Sequence, residues 1–304
     1  MKPALSVIFF TVSSGAGLGL LAWLLVASLM AAHIRMDATT FYQGAAIAAA
    51  LITAGLISST LHLANRKNAI YALTRIRTSW LAREGLLALM LYPLAALHFY
   101  ALQSGWPEIT PITLWLLIAD AIAVLYCTGM IYACLKTVPR WNTWMTPTKY
   151  VLFGLMSGSV LLPAVLTLRP PEVGPVGKPM VAIVLLALGL VLYLAYLLKH
   201  PRAQHTINDA LGFQQGHVRL LDVGHSHGTF LTNEFGFSVA RDKARVLRWT
   251  AIFCAFIAPM LLCYFTRWFW AASLSCLIGL LIERWLFFAE AEHVVRLYHG
   301  QQRV

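Results

Sequence analysis

A histidine and a glutamate stand at the two ends of one short basic stretch. His62 ends one apolar run, and Glu84 begins the next. Imidazole titrates near neutral pH and donates hydrogen bonds, while a carboxylate exchanges protons with water. The pair predicts a site at a membrane surface where a carbonyl compound such as a quinone exchanges protons and electrons. The stretch also carries the cations Arg66, Lys67, Arg75, Arg77 and Arg83.

Both residues also have a purely structural interpretation, which the sequence leaves open. A histidine near a helix end in a membrane protein often makes hydrogen bonds at the membrane–water interface and binds no ligand. A glutamate at the start of a helix is favoured by the helix dipole. The position of His62 beside cations and across a basic loop from Glu84 favours the functional interpretation of the histidine.

Three further residues are candidates for the same chemistry. Asp120 lies inside the fourth apolar run, in its outer half, where an ionisable group predicts either a proton path or a bond to a neighbouring helix. Trp80 and Trp141 suit an interfacial aromatic belt, or the wall of a quinone pocket. The predicted quinone-binding set is therefore His62, Arg66, Arg77, Trp80, Arg83, Glu84 and Trp141, with Glu84 and Asp120 on the proton path.

The composition places these residues in a membrane. Of the 304 residues, 59% are hydrophobic and 12% are charged, and the mean hydropathy is +0.70. A water-soluble domain of this size needs more polar surface, so the sequence predicts an all-α, polytopic integral membrane protein in contact with lipid. The net charge of +11 lies mainly in the connections between apolar runs. That distribution reflects helix orientation and predicts no nucleic-acid partner.

Eight apolar runs are long enough to cross a bilayer, within a single membrane domain over residues 1–304. A polar segment, residues 199–248, separates the sixth run from the seventh and is expected to be a cytoplasmic loop. The eight runs span residues 7–32, 41–63, 84–102, 112–135, 151–168, 180–198, 249–265 and 268–288.

The lysines and arginines predict the orientation of the chain. Nineteen of them fall on the side that bears both termini, and four fall on the opposite side. Positively charged loops are retained in the cytoplasm. We therefore expect the N- and C-termini, and the basic stretch after His62, to face the cytoplasm across a bacterial inner membrane.

The cysteines and histidines offer little support for a metal centre. The five cysteines form no CxxC pattern, so neither a disulfide framework, an iron–sulfur cluster nor a zinc site is predicted. A haem b needs two histidines at one depth. His33 and His98 near the outer face are an open alternative for such a pair, and otherwise we expect no haem in this chain.

Three segments resemble one family of membrane proteins. LHL followed by RTSWLARE (residues 61–84), TVPRWNTWMTP (137–147) and TNEFGF (232–237) are similar to the DmsC family of DMSO reductase anchor subunits. The resemblance implies an anchor that binds ubiquinone or menaquinone and holds two soluble subunits, which the predicted orientation of the chain places at the cytoplasmic face. These are a four-cluster ferredoxin-like iron–sulfur subunit and a molybdopterin catalytic subunit. It also implies quinone binding by His62, with Glu84 in the same pocket.

The predicted orientation refines this expectation. A basic loop on the cytoplasmic side resembles the anchors of cytoplasmic sulfite-oxidising complexes, the SoeC type. We therefore expect electrons to pass from sulfite to quinone, through either a non-catalytic anchor or a quinone-reactive subunit. The alternative is a DMSO reductase-type anchor that oxidises quinol. A secondary transporter is disfavoured, because no inverted repeat is visible. The partner's substrate, the direction of electron flow, the quinone type and the oligomeric state remain open.

Overall fold

The described part of the chain is almost entirely helical. A computed structural model describes residues 3–30, 36–61, 71, 74–168, 177–199, 206–219, 221, 241–299 and 302–303. Within these residues, eight helices are long and apolar enough to cross a membrane. At a rise of 1.5 Å per residue, about 20 residues cover the roughly 30 Å of a hydrocarbon core. The predicted all-α class and the number of spans are confirmed.

The first six spans are single helices, and the seventh is composite. Helix α7 (Ile207–Leu211) is short, and a 3₁₀ helix (Val294–His299) follows the last span. The seventh span consists of α8 (Arg241–Ile252), a π-helical turn (Phe253–Ile257) and α9 (Ala258–Phe265). The other spans are α1 (Leu5–Leu29), α2 (Ala38–Leu61), α3 (Trp80–Gln103), α4 (Ile109–Ala133), α5 (Met145–Leu166), α6 (Met180–Lys199) and α10 (Phe269–Ala289).

Three predicted boundaries are wrong for one physical reason: charged residues lie inside helices. Helix α3 begins at Trp80 rather than at Glu84, because the Ser79 side chain caps it by accepting a bond from the Ala82 amide. Helix α5 begins at Met145 rather than at residue 151, with Lys149 buried in its second turn. The expected loop at 199–248 contains α7 and the first turns of α8.

Helices α1 and α5 form the centre of the bundle, and α1 packs between α2 and α5. A Cβ on Gly17 would lie 2.7 Å from the carbonyl oxygen of Ala48 in α2. On the other side of α1, Gly19 meets the backbone of Gly154 and Gly158 in α5. Helix α1 can approach both neighbours this closely because small residues let helix backbones touch.

Two groups of helices flank this centre. Helices α3 and α4 pair on one side, and α6, the seventh span and α10 gather on the other. Successive spans alternate in direction, so one face holds the start of α1, loop 134–144, the start of α8 and the residues after α10. We call this the basic face. Glu84, Thr128, Lys149 and Glu283 all lie within about 10 Å of it, measured along their helices.

Candidate functional site

Glu84 is buried at the contact between α3 and α4. Its residue is 4% exposed, and its Oε1 is hydrogen-bonded to the hydroxyl of Thr128. The same hydroxyl also reaches the carbonyl oxygen of Val124, at 2.9 Å. A hydroxyl has one proton to donate and two lone pairs. An ionised Glu84 accepts from Thr128, whereas a protonated Glu84 donates to Thr128 while Thr128 donates to Val124. Glu84 can therefore gain or lose a proton without leaving its partner unpaired.

The structure places Glu84 inside its helix, rather than at the start of the apolar run as the sequence predicts. Because α3 starts at Trp80, Glu84 lies beyond the first helical turn, which holds no acidic residue. The helix-dipole interpretation of Glu84 is therefore wrong, since that effect fades after the first turn. Its partner is Thr128 on the neighbouring helix.

The start of α3 is fastened to the preceding loop by Arg83. Its guanidinium lies 4.2 Å from the ring centroid of Trp80. Its Nε donates to the carbonyl of Ile76 at 2.9 Å, and its Nη2 donates to the carbonyl of Arg77 at 2.8 Å. Trp80 also packs edge-on against Tyr126, with ring centroids 5.9 Å apart. The structure thus brings together Trp80, Arg83 and the backbone of Arg77 directly before Glu84.

Two members of the predicted quinone set lie outside the described residues, namely His62 and Arg66. Arg77 is an exposed residue of the basic face. The relation of His62 to Glu84 therefore stays a prediction from the sequence.

Trp141 is buried inside the bundle, at 2% exposure, rather than in an interfacial belt. Its indole Nε1 donates to the carbonyl of Phe287 at 3.0 Å, and the two rings stack with centroids 5.2 Å apart. Tyr132 packs against Trp141 at 5.3 Å and lies one helical turn beyond Thr128 on α4. Trp141 is therefore joined to the Glu84 region through Tyr132.

Asp120 lies near the middle of α4, one residue to the outer side of its midpoint. Within the described residues its Oδ2 is buried without a hydrogen-bond partner. It lies eight residues from Thr128, about 12 Å along the helix. The structure therefore does not bring Asp120 into contact with Glu84.

His98, one member of the alternative haem pair, is 1% exposed in α3. Its Nδ1 lies 2.9 Å from the hydroxyl of Thr113 on α4, so one ring nitrogen is already engaged. His33 lies outside the described residues.

The sequence analysis missed a buried ionic cluster between α5 and α10. Lys149 Nζ donates to Glu283 Oε1 at 2.6 Å, and Arg284 Nη1 lies 3.4 Å from Glu283 Oε2. Lys149, Glu283 and Arg284 are 0%, 1% and 3% exposed. Lys149 and Arg284 are among the nineteen cations of the predicted cytoplasmic side, but they are buried within helices rather than exposed in loops. The available signal was a glutamate–arginine pair within the apolar run of α10.

Aromatic rings surround this buried ionic cluster. The Arg284 guanidinium lies 3.7 Å from the ring centroid of Tyr150, and Lys149 Nζ lies 3.9 Å from that of Tyr196. Such cation–π contacts replace part of the hydration that a buried cation loses. The three charges sum to one net positive charge among apolar side chains.

A second ionic contact lies at the basic face, between the cluster and the end of the helix bundle. The Glu290 carboxylate accepts from Arg140 Nη2 at 2.5 Å and from Arg248 Nε at 2.8 Å. Burial disfavours the charged form of Arg140, but Tyr196 and Glu290 outweigh that effect and raise its pKa. The contact ties loop 134–144 and the start of the seventh span to the end of α10.

The comparisons with known proteins agree with this architecture. The sequence profile described as "DMSO reductase anchor subunit (DmsC)" matches residues 1–289. The chain is 31% identical to the C subunit of sulfite dehydrogenase from Allochromatium vinosum, over 98% of this chain and 99% of that protein. It is 24% identical to the C subunit of the anaerobic dimethyl sulfoxide reductase from Haemophilus influenzae, over 53% of this chain and 58% of that protein.

No solved structure matches the chain. The profile nevertheless covers almost the whole sequence, and the match to the Allochromatium protein extends along nearly the full length of both proteins. The eight apolar helices are those of a multi-pass membrane protein. The chain belongs to the DmsC family of DMSO reductase anchor subunits.

Proposed function

We propose that this anchor subunit binds a quinone, ubiquinone or menaquinone, beside Glu84 and passes it electrons from an iron–sulfur subunit. The electrons come from sulfite, oxidised by a molybdopterin subunit at the cytoplasmic face of a bacterial inner membrane. The observation that carries this proposal is the full-length similarity to one subunit of a sulfite dehydrogenase. A protein named as one subunit of an enzyme has companion subunits.

The charge distribution supports docking of these partners on the basic face. Nineteen lysines and arginines fall on the predicted cytoplasmic side, although Lys149 and Arg284 among them are buried. Exposed cations remain in the loops, where they attract an acidic partner surface and set its orientation. A quinone bound just beneath this face is close to a cluster held by the docked subunit.

The surroundings of Glu84 support proton exchange with a bound quinone. Reduction of a quinone consumes two electrons and two protons, and the products are two hydroxyl groups. Glu84 is buried, and the Thr128 hydroxyl pairs with it in either protonation state. His62, on the other side of the loop in sequence, would donate a hydrogen bond to one quinone carbonyl.

The alternative direction, oxidation of quinol, is favoured by the match to a dimethyl sulfoxide reductase subunit. That match covers about half of this chain, whereas the sulfite dehydrogenase match covers nearly all of it. Assays of the purified complex separate the two directions. Sulfite with oxidised quinone tests one, and dimethyl sulfoxide with quinol tests the other.

The decisive experiment replaces His62 and Glu84 in the purified three-subunit complex. We expect His62→Ala to lower sulfite-dependent quinone reduction by about 10²-fold, since it loses a hydrogen bond and a proton donor. Glu84→Gln should slow the same reaction. The complex should stay assembled, and sulfite oxidation with artificial dyes should be unchanged.

Glu108→Gln is the matched control, because Glu108 is an exposed carboxylate at the far end of α4. It should leave quinone reduction unchanged. Quinone-linked activity at the wild-type rate in His62→Ala would place the pocket elsewhere. Absence of sulfite-dependent quinone reduction in the wild-type complex would refute the proposed function.

A further inference from the structure

The buried ionic cluster of Lys149, Glu283 and Arg284 lies inside the membrane domain. Lys149 is four residues into α5, and Glu283 is six residues from the end of α10. These positions lie roughly 6–9 Å beneath the basic face. Buried ion pairs contribute little net stability, because desolvation of the charges offsets their attraction. Ionisable residues at membrane depth are therefore candidates for transport of protons or ions.

The cluster and the neighbouring Tyr150 have unused hydrogen-bonding capacity, and a small cavity lies beside Arg284 and Tyr150. Within the described residues, Glu283 Oε2, Arg284 Nη1 and the Tyr150 hydroxyl are buried without a hydrogen-bond partner. A cavity of about 10 Å³ is lined by Arg284, Tyr150, Thr11 and Ser157, among others. That is about the volume open to the centre of one water molecule. A water there would bond to Arg284 and Tyr150.

On one side, the cluster leads to the basic face. Glu283 and Glu290 are seven residues apart on α10, so they lie on the same side of the helix, two turns apart. Lys149 lies against the ring of Tyr196, whose hydroxyl donates to the carbonyl of Arg140 at 2.9 Å. Arg140 in turn contacts Glu290.

On the other side, the cluster leads toward Glu84. The ring of Tyr150 stacks on that of Tyr132, with centroids 5.6 Å apart. Tyr132 is one helical turn from Thr128, the partner of Glu84. Ionic groups and tyrosines in mutual contact therefore lie in series between the basic face and the proposed quinone pocket.

We propose that this series of groups is the proton route to the quinone pocket. Lys149, Glu283, the cavity water and the tyrosine hydroxyls carry the proton, while Arg284 stays charged and holds the water in place. The inference rests on the proposed function. The iron–sulfur subunit supplies the two electrons of each turnover. The route supplies the two protons, taken from water at the basic face, and both carbonyl oxygens of the quinone become hydroxyls.

The first test replaces Glu283 in the complete complex. Glu283→Gln keeps the shape but cannot carry a proton, and we expect sulfite-dependent quinone reduction to fall at least about 10-fold. The decrease should lie in kcat, with the KM for quinone unchanged, and the solvent isotope effect should increase. Glu283→Asp keeps a titratable group and should recover part of the rate. Dye-linked activity and subunit content should match the wild type.

The second test fills the cavity and leaves the charges in place. Ser157 and Ser159 are both buried on α5, and each hydroxyl bonds to the carbonyl three residues earlier. Ser157 lines the cavity, and Ser159 does not. Ser157→Val should therefore displace the water and slow quinone reduction several-fold. Ser159→Val is the matched control and should leave the rate unchanged.

The outcomes separate this inference from the proposed function. If His62→Ala abolishes quinone reduction while Glu283→Gln and Ser157→Val turn over normally with a wild-type isotope effect, the route is refuted and the quinone pocket stands. Equal slowing by Glu283→Gln and Glu283→Asp, with loss of subunits, identifies a structural ion pair and also overturns the route. A wild-type complex without quinone activity refutes the proposed function instead.

Discussion

At the scale of single residues, the hydroxyl of Thr128 lets Glu84 bind or release a proton and keep a hydrogen-bond partner. A hydroxyl can both donate to a carboxylate and accept from a carboxylic acid. Thr128 can do both, because its hydroxyl donates to the Val124 carbonyl when Glu84 is protonated. The pair can therefore change charge inside the bundle without an orphaned polar atom, which would cost about 1–3 kcal/mol.

This arrangement yields a prediction for Thr128→Val. Valine keeps the shape of threonine but removes the hydroxyl, so Glu84 loses its partner in both protonation states. We expect sulfite-dependent quinone reduction to fall about 10-fold, which corresponds to roughly 1.4 kcal/mol. Dye-linked activity reports the integrity of the soluble subunits. Thr110→Val, at the opposite end of the same helix, should have no effect, and a normal rate in Thr128→Val would contradict the role of the pair.

Sequence reasoning reaches some of these residues and misses others. Glu84 stands out because it is a carboxylate beside an apolar run, but its depth depends on the Ser79 cap, which hydropathy does not register. Lys149 resembles a loop cation because its partner, Glu283, is 134 residues distant. Hydropathy is averaged over residues adjacent in sequence, so a buried lysine near the end of an apolar run is read as the polar end of that run. A long-range ion pair leaves no local signal.

At the scale of helices, glycines set how closely α1 and α5 approach. The Cα of Gly158 faces the backbone of Gly19 and Leu20, and an added Cβ would overlap those atoms. In lipid, the hydrophobic effect does not drive helices together, so close backbone packing supplies much of the association energy. The sequence predicts close approach at the α1 glycines but does not assign α5 as the partner, because periodicity within one helix does not reveal its neighbour.

Gly158→Ala should therefore destabilise the bundle. The overlap forces α1 and α5 apart, and we expect a cost of about 1–3 kcal/mol, measured as a lower midpoint of thermal unfolding in detergent. Gly85→Ala is the matched control. A Cβ on Gly85 meets nothing within 4 Å, and alanine is favoured over glycine in a helix by about 0.5–1 kcal/mol. An unchanged midpoint for Gly158→Ala would mean that the two helices are not in backbone contact.

At the scale of the whole molecule, the described residues contain eight spans, so the start of α1 and the residues after α10 lie on one face. The sequence predicts the eight spans well, because a run of about 20 apolar residues is a strong local signal. Its orientation argument relies on nineteen cations, among which Lys149 and Arg284 are buried. The remaining asymmetry still predicts that the basic face is cytoplasmic.

A native thiol offers a direct test of this orientation. Cys134 is exposed on the basic face, directly after α4, and the other four cysteines are buried or half-buried. A membrane-impermeant maleimide should label Cys134 only after the inner membrane is opened. With Cys134→Ser as background, Glu108→Cys on the opposite face should react in intact cells. The reverse pattern would invert the chain and contradict docking of cytoplasmic partners.

The glycine contact between α1 and α5 also has a consequence for biogenesis. Helix α1 is synthesised before α5, and the helix that covers its glycine face begins more than one hundred residues later, at Met145. Until α5 is synthesised and inserted, that face contacts lipid or the insertion machinery. The central seam of the bundle is therefore completed late, and nascent polypeptides that stop before α5 should be substrates for membrane quality control.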